Sequence, residues 1–141
     1  LVDCYDMVVS RNLTWNLPHP DQAYKEWIRI LKPGGLLLNF DANWYAYLFD
    51  CSKREAYDQD RINSAMLGIT DRNIGEKYDI MEDIARRIPL SNVQRPIWDL
   101  EYLKANTNYC GADETIWQNV WSDEEKVNFA STPMFMIRAV K

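Results

Sequence analysis

The chain has 141 residues, of which 47% are hydrophobic and 26% are charged, so it suits one domain with a packed core. The formal net charge is −5 and the basic clusters are only two residues long, which disfavours a nucleic-acid partner. Three widely spaced cysteines and one histidine cannot complete a zinc site, and no apolar run approaches the length of a membrane span. We therefore expect reduced cysteines in a cytoplasmic protein, with no metal and no membrane partner.

The first third of the chain predicts a strand, a helix and a second strand. The apolar run at 5–10 is rich in β-forming residues and is typical of a parallel strand buried on both faces. Apolar residues at helical spacing predict a helix over 21–31, and Pro20 suits its first turn. The KPGG turn at 32–35 ends that helix and leads into a strand at 36–41. Because βαβ crossovers are right-handed, we expect the two strands to be parallel neighbours.

The rest of the chain predicts helices and two further strands, with Ser122 and Glu125 at the spacing of a capping box. The predicted elements are helices at 53–67 and 76–88, a short helix at 99–104, an edge strand at 109–115, a helical turn at 123–129 and a last strand at 133–140.

A family resemblance rests on two stretches of sequence. YDMVVSRNLTWNLPHPDQAYKEWIRILKPGGLLLNFDANWY, residues 5–45, resembles the second half of a class I S-adenosylmethionine-dependent methyltransferase, and STPMFMIRAVK, residues 131–141, resembles that family's last antiparallel strand. The resemblance implies the C-terminal part of a Rossmann-like α/β methyltransferase sheet, with two parallel strands, an antiparallel C-terminal hairpin and flanking helices. Residues 1–141 would form a single partial domain, in which a helical insert at 46–95 caps the acceptor side.

The family binds its cofactor with a glycine-rich turn, followed by an acidic residue at the end of the next strand. The only Gly-Gly pair of this chain lies in the KPGG turn, and no GxGxG pattern occurs. We expect both elements to lie ahead of Leu1, so that the chain is a fragment that is catalytically silent alone. The uncovered edge of strand 5–10 would then be paired by another chain, through dimerisation or strand exchange.

Polar and aromatic residues follow the first predicted strand, and ligands of open α/β sheets bind outside the carboxyl ends of strands. By the resemblance, Ser10, Arg11, Asn12 and Trp15 are expected to bind the cofactor, S-adenosylmethionine. The guanidinium of Arg11 can pair with its carboxylate, and the ring of Trp15 can face its adenine or its sulfonium. The alternative interpretation is a polar loop with a packed indole.

A second group, Asp41, Asn43, Trp44 and Tyr45, follows the KPGG strand and is expected to face the methyl acceptor. Asp41 can act as a base or can orient the substrate, or it can simply end the strand. His19, the single histidine, precedes the helix and lies away from the strand ends, so a surface role suits it better. No catalytic residue is assigned from the sequence.

The implied function is S-adenosylmethionine-dependent methyl transfer to a small-molecule acceptor. Two other classes stay open. One is a methyltransferase-like interaction module without catalysis, since a fold does not establish a function. The other is a nucleotide-binding oxidoreductase of the doubly wound type, against which the KPGG turn and the closing antiparallel strand argue.

Overall fold

The computed structural model describes residues 2–73 and 78–141, and within them the strands form one mixed sheet in the order β1-β2-β4-β3. β1 and β2 are parallel, and β4 runs antiparallel to both β2 and β3. This sheet confirms the predicted α/β fold class, with two parallel strands and a C-terminal antiparallel pair. The strands are β1 (Tyr5–Arg11), β2 (Leu31–Asp41), β3 (Tyr109–Asp113) and β4 (Phe135–Val140).

The described helices follow the predicted order, except that the short helix Trp117–Val120 was not predicted. The helix predicted at 76–88 is α3, and the start that we predicted for it at 76 lies outside the described residues. The capping box that opens α6 is present as predicted, because Ser122 and Glu125 exchange side-chain to backbone hydrogen bonds. The helices are α1 (Pro20–Ile30), α2 (Cys51–Met66), α3 (Tyr78–Ala85), α4 (Ile97–Lys104), α5 (Trp117–Val120) and α6 (Asp123–Asn128).

The KPGG segment is more extended than we predicted. Extended backbone begins at Leu31, directly after α1, and pairing with β1 is irregular until Leu36 lies opposite Met7. Gly34 has a φ of +77°, a conformation that glycine adopts without strain. A Cβ on Gly35 would lie 2.8 Å from the backbone oxygen of Lys32, so only glycine fits there. The KPGG segment therefore belongs to the first part of β2 and is not a separate turn before it.

One face of the sheet carries the core. Alternate residues of the strands point to this face, and α1 and α4 cover it with buried side chains. The buried cluster consists of Tyr24, Leu31, Leu37, Leu103, Phe135, Ile137 and Ala139.

β1 is the outer strand at the other edge of the sheet from β3. Its residues Met7 and Val9 lie on the face away from the core and are 50% and 59% exposed. Within the described residues no strand pairs with the outer side of β1. The pairing of this edge with another chain stays a prediction.

None of the described helices is long and apolar enough to cross a membrane. In the same residues, no group of three His, Cys, Asp or Glu side chains is placed to hold a metal ion.

Candidate functional site

The carboxyl ends of β1 and β2 lie side by side, with Arg11 opposite Phe40. A cavity of about 220 Å³ opens there, which we call the strand-end cavity. It brings together residues from both predicted groups, two from the loop after β1 and two from the segment after β2. The lining residues are Asn12, Trp15, Trp44, Tyr45 and Asn73.

The loop after β1 owes its shape to Asn12. This residue has a φ of +53°, and asparagine tolerates this left-handed conformation better than most residues. Its N–H donates to the carbonyl of Phe40 at 2.8 Å, which ties the loop to the end of β2. The indole Nε1 of Trp15 donates to the carbonyl of Asn12 at 3.2 Å. These bonds hold the backbone of Asn12 and the indole of Trp15 at the carboxyl ends of β1 and β2.

Aromatic rings form one wall of the strand-end cavity. The rings of Trp15 and Tyr45 lie 5.2 Å apart between centroids, and Tyr47 continues the row at 5.9 Å from Tyr45. Trp44 packs edge-on against Phe129, with centroids 5.5 Å apart. The Nε1 of Trp44 is buried without a hydrogen-bond partner in the part of the chain described. Burial raises the pKa of the Tyr45 hydroxyl, so it stays protonated at neutral pH.

Ser10 and Arg11 do not line this cavity. Ser10 is only 6% exposed and lies beside Asn39, on the core side of the sheet. Its hydroxyl has no hydrogen-bond partner among the described residues. Arg11 is exposed at the last position of β1. The two residues therefore point to opposite sides of the sheet, as neighbours in a strand must.

Asp41 lies beneath the strand-end cavity and is fully buried. Its Oδ2 accepts from the backbone N–H of Trp15 and from Nη1 of Arg95, both at 2.8 Å. Its Oδ1 accepts from the backbone N–H of Ala42 at 3.0 Å. Full burial and three hydrogen bonds favour the alternative that Asp41 ends the strand, and its expected role toward the acceptor stays a prediction.

Arg95, which the sequence analysis missed, lies at the centre of a buried hydrogen-bond network. Its Nε and Nη2 donate to the two carboxylate oxygens of Asp99 at 2.9 and 2.8 Å, while Nη1 reaches Asp41. The hydroxyl of Tyr24 donates to Asp99 at 2.6 Å and accepts from Nδ2 of Asn39 at 2.8 Å. The network thereby links α1, α4 and the end of β2.

Burial and charge act against each other in this network. Burial raises the pKa of Asp41, and the charge of Arg95 with the hydrogen bonds to the carboxylate partly offsets that rise. Burial alone would lower the pKa of Arg95, but the hydrogen bonds and charges of Asp99 and Asp41 outweigh it and raise that pKa. Burial, followed by the nearby charge of Asp99, raises the pKa of Tyr24 well above its ordinary value. Arg95 is thus always charged, and Tyr24 always neutral, near neutral pH.

Asn43 lies apart from the strand-end cavity. Its Nδ2 donates to the carbonyl of Arg95 at 2.9 Å, and it lines a second cavity of about 140 Å³. Lys53 and Glu114 line the same cavity from α2 and from the loop after β3. The predicted acceptor group is therefore divided, with Trp44 and Tyr45 at the first cavity and Asn43 at the second.

Comparison with known proteins agrees with this fold. Residues 2–39 match a family described as a methyltransferase domain. Two structures of phosphoethanolamine N-methyltransferase 2 from Haemonchus contortus align with 99% and 100% of this chain, at TM-scores of 0.53 and 0.54 and identities of 12% and 14%. One holds phosphomonomethylethanolamine and S-adenosylhomocysteine, and the other holds S-adenosyl-L-methionine. No curated protein matches the sequence.

These findings show the fold of a class I methyltransferase domain and confirm the resemblance. The chain spans about a third of the length of the two solved structures, since it covers 34% of each.

Proposed function

We propose that the protein transfers a methyl group from S-adenosylmethionine to a small-molecule acceptor at the strand-end cavity. The observation that carries this proposal is the meeting of Asn12 and Trp15 with Trp44 and Tyr45 around one cavity. The first pair belongs to the expected cofactor side and the second pair to the expected acceptor side. The family match and the methyltransferase fold support the same activity.

The lining of the strand-end cavity fits the cofactor. Two indole rings and a phenol offer the aromatic faces that attract a cation such as a sulfonium, and two asparagine amides offer hydrogen bonds. No charged side chain lines this cavity among the described residues, so nothing there repels a cation. We propose that Arg11, which is exposed at the end of β1, pairs with the carboxylate of the cofactor. Ser10 stays a cofactor-binding prediction, although its hydroxyl points into the core.

When bound, S-adenosylmethionine supplies a methyl group that its sulfonium already activates. The chain's own contribution is to orient the acceptor and to exclude water, which Trp15, Trp44 and Tyr45 do by their bulk. The described residues lining the strand-end cavity include no carboxylate and no histidine. A nucleophile that needs no strong base, such as a neutral amine, therefore suits this site best. The phosphomonomethylethanolamine held by one of the related structures is an amine, which supports this choice.

We propose that residues 46–95 cap the acceptor side of a single partial domain formed by residues 1–141. Asn73, from this segment, lines the strand-end cavity. Lys53, at the start of α2, lines the second cavity together with Asn43. The charged side chains of Lys53 and Glu114 and the amide of Asn43 suit a polar end of the acceptor. The three cysteines are all unpaired, which supports a cytoplasmic location.

One observation favours the alternative of a non-catalytic methyltransferase-like interaction module. The apolar residues Met7 and Val9 are exposed on β1, an edge strand whose outer side no described strand pairs. Such an edge pairs readily with a strand of another chain. We propose a second copy of the protein as its partner, in either function.

Calorimetric titration with S-adenosylhomocysteine tests the proposed function, on the 141-residue chain and on the full product of its gene. Trp15→Ala should weaken binding at least about tenfold, because the aromatic wall is lost. Trp117→Ala is the matched control, since Trp117 packs against Trp121 and does not line the strand-end cavity. Transfer of labelled methyl groups to small amines would follow. If neither form of the protein binds the ligand, methyl transfer is excluded and the interaction module is the better account.

A further inference from the structure

The loop that carries Trp15 is tied to the sheet from below. The backbone N–H of Trp15 donates to Oδ2 of Asp41 at 2.8 Å. A hydrogen bond to an ionised acceptor is about twice as strong as one between neutral groups. The position of the Trp15 indole in the strand-end cavity therefore depends on where the carboxylate of Asp41 is held.

Arg95 holds that carboxylate. The side chains of Asp41 and Arg95 are 0% and 1% exposed, and Nη1 of Arg95 lies 2.8 Å from the same oxygen that receives the N–H of Trp15. A buried carboxylate without a cationic partner takes up a proton rather than remain charged. Without Arg95, Asp41 would lose both its fixed orientation and its negative charge.

The guanidinium is itself fixed from the other side. It makes a two-point contact with Asp99, and Asp99 receives the hydroxyl of Tyr24. A planar fork with five donors can serve two carboxylates at once, whereas the ammonium of a lysine cannot reproduce this geometry. The chain of contacts from α1 and α4 is thus buried as far as Asp41, and its last hydrogen bond, from the N–H of Trp15, is part-buried.

We infer that Arg95 is a positioning residue for the proposed methyl transfer: through Asp41 it sets the backbone of Trp15 and thereby the cofactor-facing wall of the strand-end cavity. Arg95 borders the second cavity but does not line the strand-end cavity, which it reaches only through its neighbours. The inference rests on the proposed function, because the wall matters only if the cavity binds the cofactor.

Two variants test the inference. Arg95→Lys keeps the charge but loses the fork, and Asp41→Asn keeps the size but loses the charge that faces Arg95. Asp60→Asn is the matched control, because Asp60 is also buried and its Oδ2 accepts a backbone N–H, that of Ser131, at 2.8 Å in a different loop. If Arg95→Lys does not fold, Asp41→Asn carries the test.

The first readout is hydrogen exchange at single amides, followed by NMR. We expect the amide of Trp15 to exchange at least about tenfold faster in Arg95→Lys and in Asp41→Asn, since its acceptor is weakened. The amide of Ile137, in the middle of β4, should keep its protection in both variants. A merely structural role of Arg95 would loosen both amides together and would overturn the inference, as would unchanged exchange at Trp15.

The second readout is affinity for S-adenosylhomocysteine. We expect a loss of about tenfold in Arg95→Lys and in Asp41→Asn, and no loss in Asp60→Asn. If the wild type binds S-adenosylhomocysteine and Arg95→Lys binds it equally well, the inference is overturned and the proposed function stands. If neither the wild-type 141-residue chain nor the full product of its gene binds, the proposed function fails and this inference fails with it, so the two failures are distinguishable.

Discussion

Replacing Tyr24 by phenylalanine perturbs the buried network by a single oxygen atom. The side chain is fully buried, its hydroxyl donates to Asp99 at 2.6 Å and it accepts from Asn39 at 2.8 Å. The ring contacts remain in the variant, including the edge-on contact with Trp27. The bond to the ionised Asp99 contributes about 1.5–3 kcal/mol, and the bond from Asn39 about 0.5–1.5 kcal/mol. We therefore expect Tyr24→Phe to lower the free energy of unfolding by about 2–4 kcal/mol.

The assay is urea unfolding followed by circular dichroism, with Tyr102→Phe as the control. Tyr102 stacks on Tyr24 at 5.9 Å, but its hydroxyl makes no hydrogen bond within the described residues. The control should therefore cost about 0.5 kcal/mol or less. A loss below about 1 kcal/mol in Tyr24→Phe would refute the reasoning, because it would mean that Asp99 and Asn39 find other partners at no cost.

Three further predictions concern parts of the chain outside the network. Ser122→Ala should lower the free energy of unfolding by about 1 kcal/mol, since it breaks the capping box of α6, and an unchanged urea midpoint would contradict this. Hydrogen bonds from the Ser52 hydroxyl and from the backbone N–H groups of Lys53 and Ser52 lower the pKa of Asp50, which caps α2. The stability from this cap is thus fully present above the usual Asp pKa of about 4 and is lost as pH falls through the lowered pKa. At neutral pH, Asp50→Ala should have a lower melting temperature than the wild type, and in strong acid the two melting temperatures should be equal. A difference that persists in acid would contradict the assignment. Finally, Met7→Lys should weaken self-association through β1 at least about tenfold in sedimentation, whereas a wild type that is monomeric at about 100 μM would exclude the proposed pairing.

The sheet order around β1 and β2 could be predicted because its signals are local. An apolar run, a helical stripe and the KPGG turn follow one another within 37 residues of sequence, from 5 to 41. The right-handed crossover rule then places the two strands side by side. The capping box at Ser122 is equally local, since its two side chains are three residues apart.

The buried network could not be predicted in the same way. Arg95 and Asp41 are 54 residues apart in sequence, and charged residues are exposed far more often than buried. Arg95 precedes α4, which begins at Ile97, so the helical pairing of side chains four residues apart does not predict its contact with Asp99. The strand end favours the acceptor side for Asp41, whereas alternation along β2 places it on the core face together with Asn39.

The same alternation explains the position of Ser10. It shares the core side of β1 with Val8, whereas Arg11 points the other way. The alternation of side chains along β1 therefore separates Ser10 from Arg11, although both lie at the carboxyl end of the strand.

The most direct test of the central claim is NMR of the tryptophan indoles during titration with S-adenosylhomocysteine. The six tryptophans each give an indole N–H signal that a single Trp→Phe variant assigns. If the strand-end cavity binds the cofactor, the indole signals of Trp15 and Trp44 shift. The signals of Trp27 and Trp98, which pack against the hydrophobic core and do not line this cavity, stay in place. Shifts confined to Trp27 and Trp98, or no shifts in either the 141-residue chain or the full product of its gene, would contradict the account.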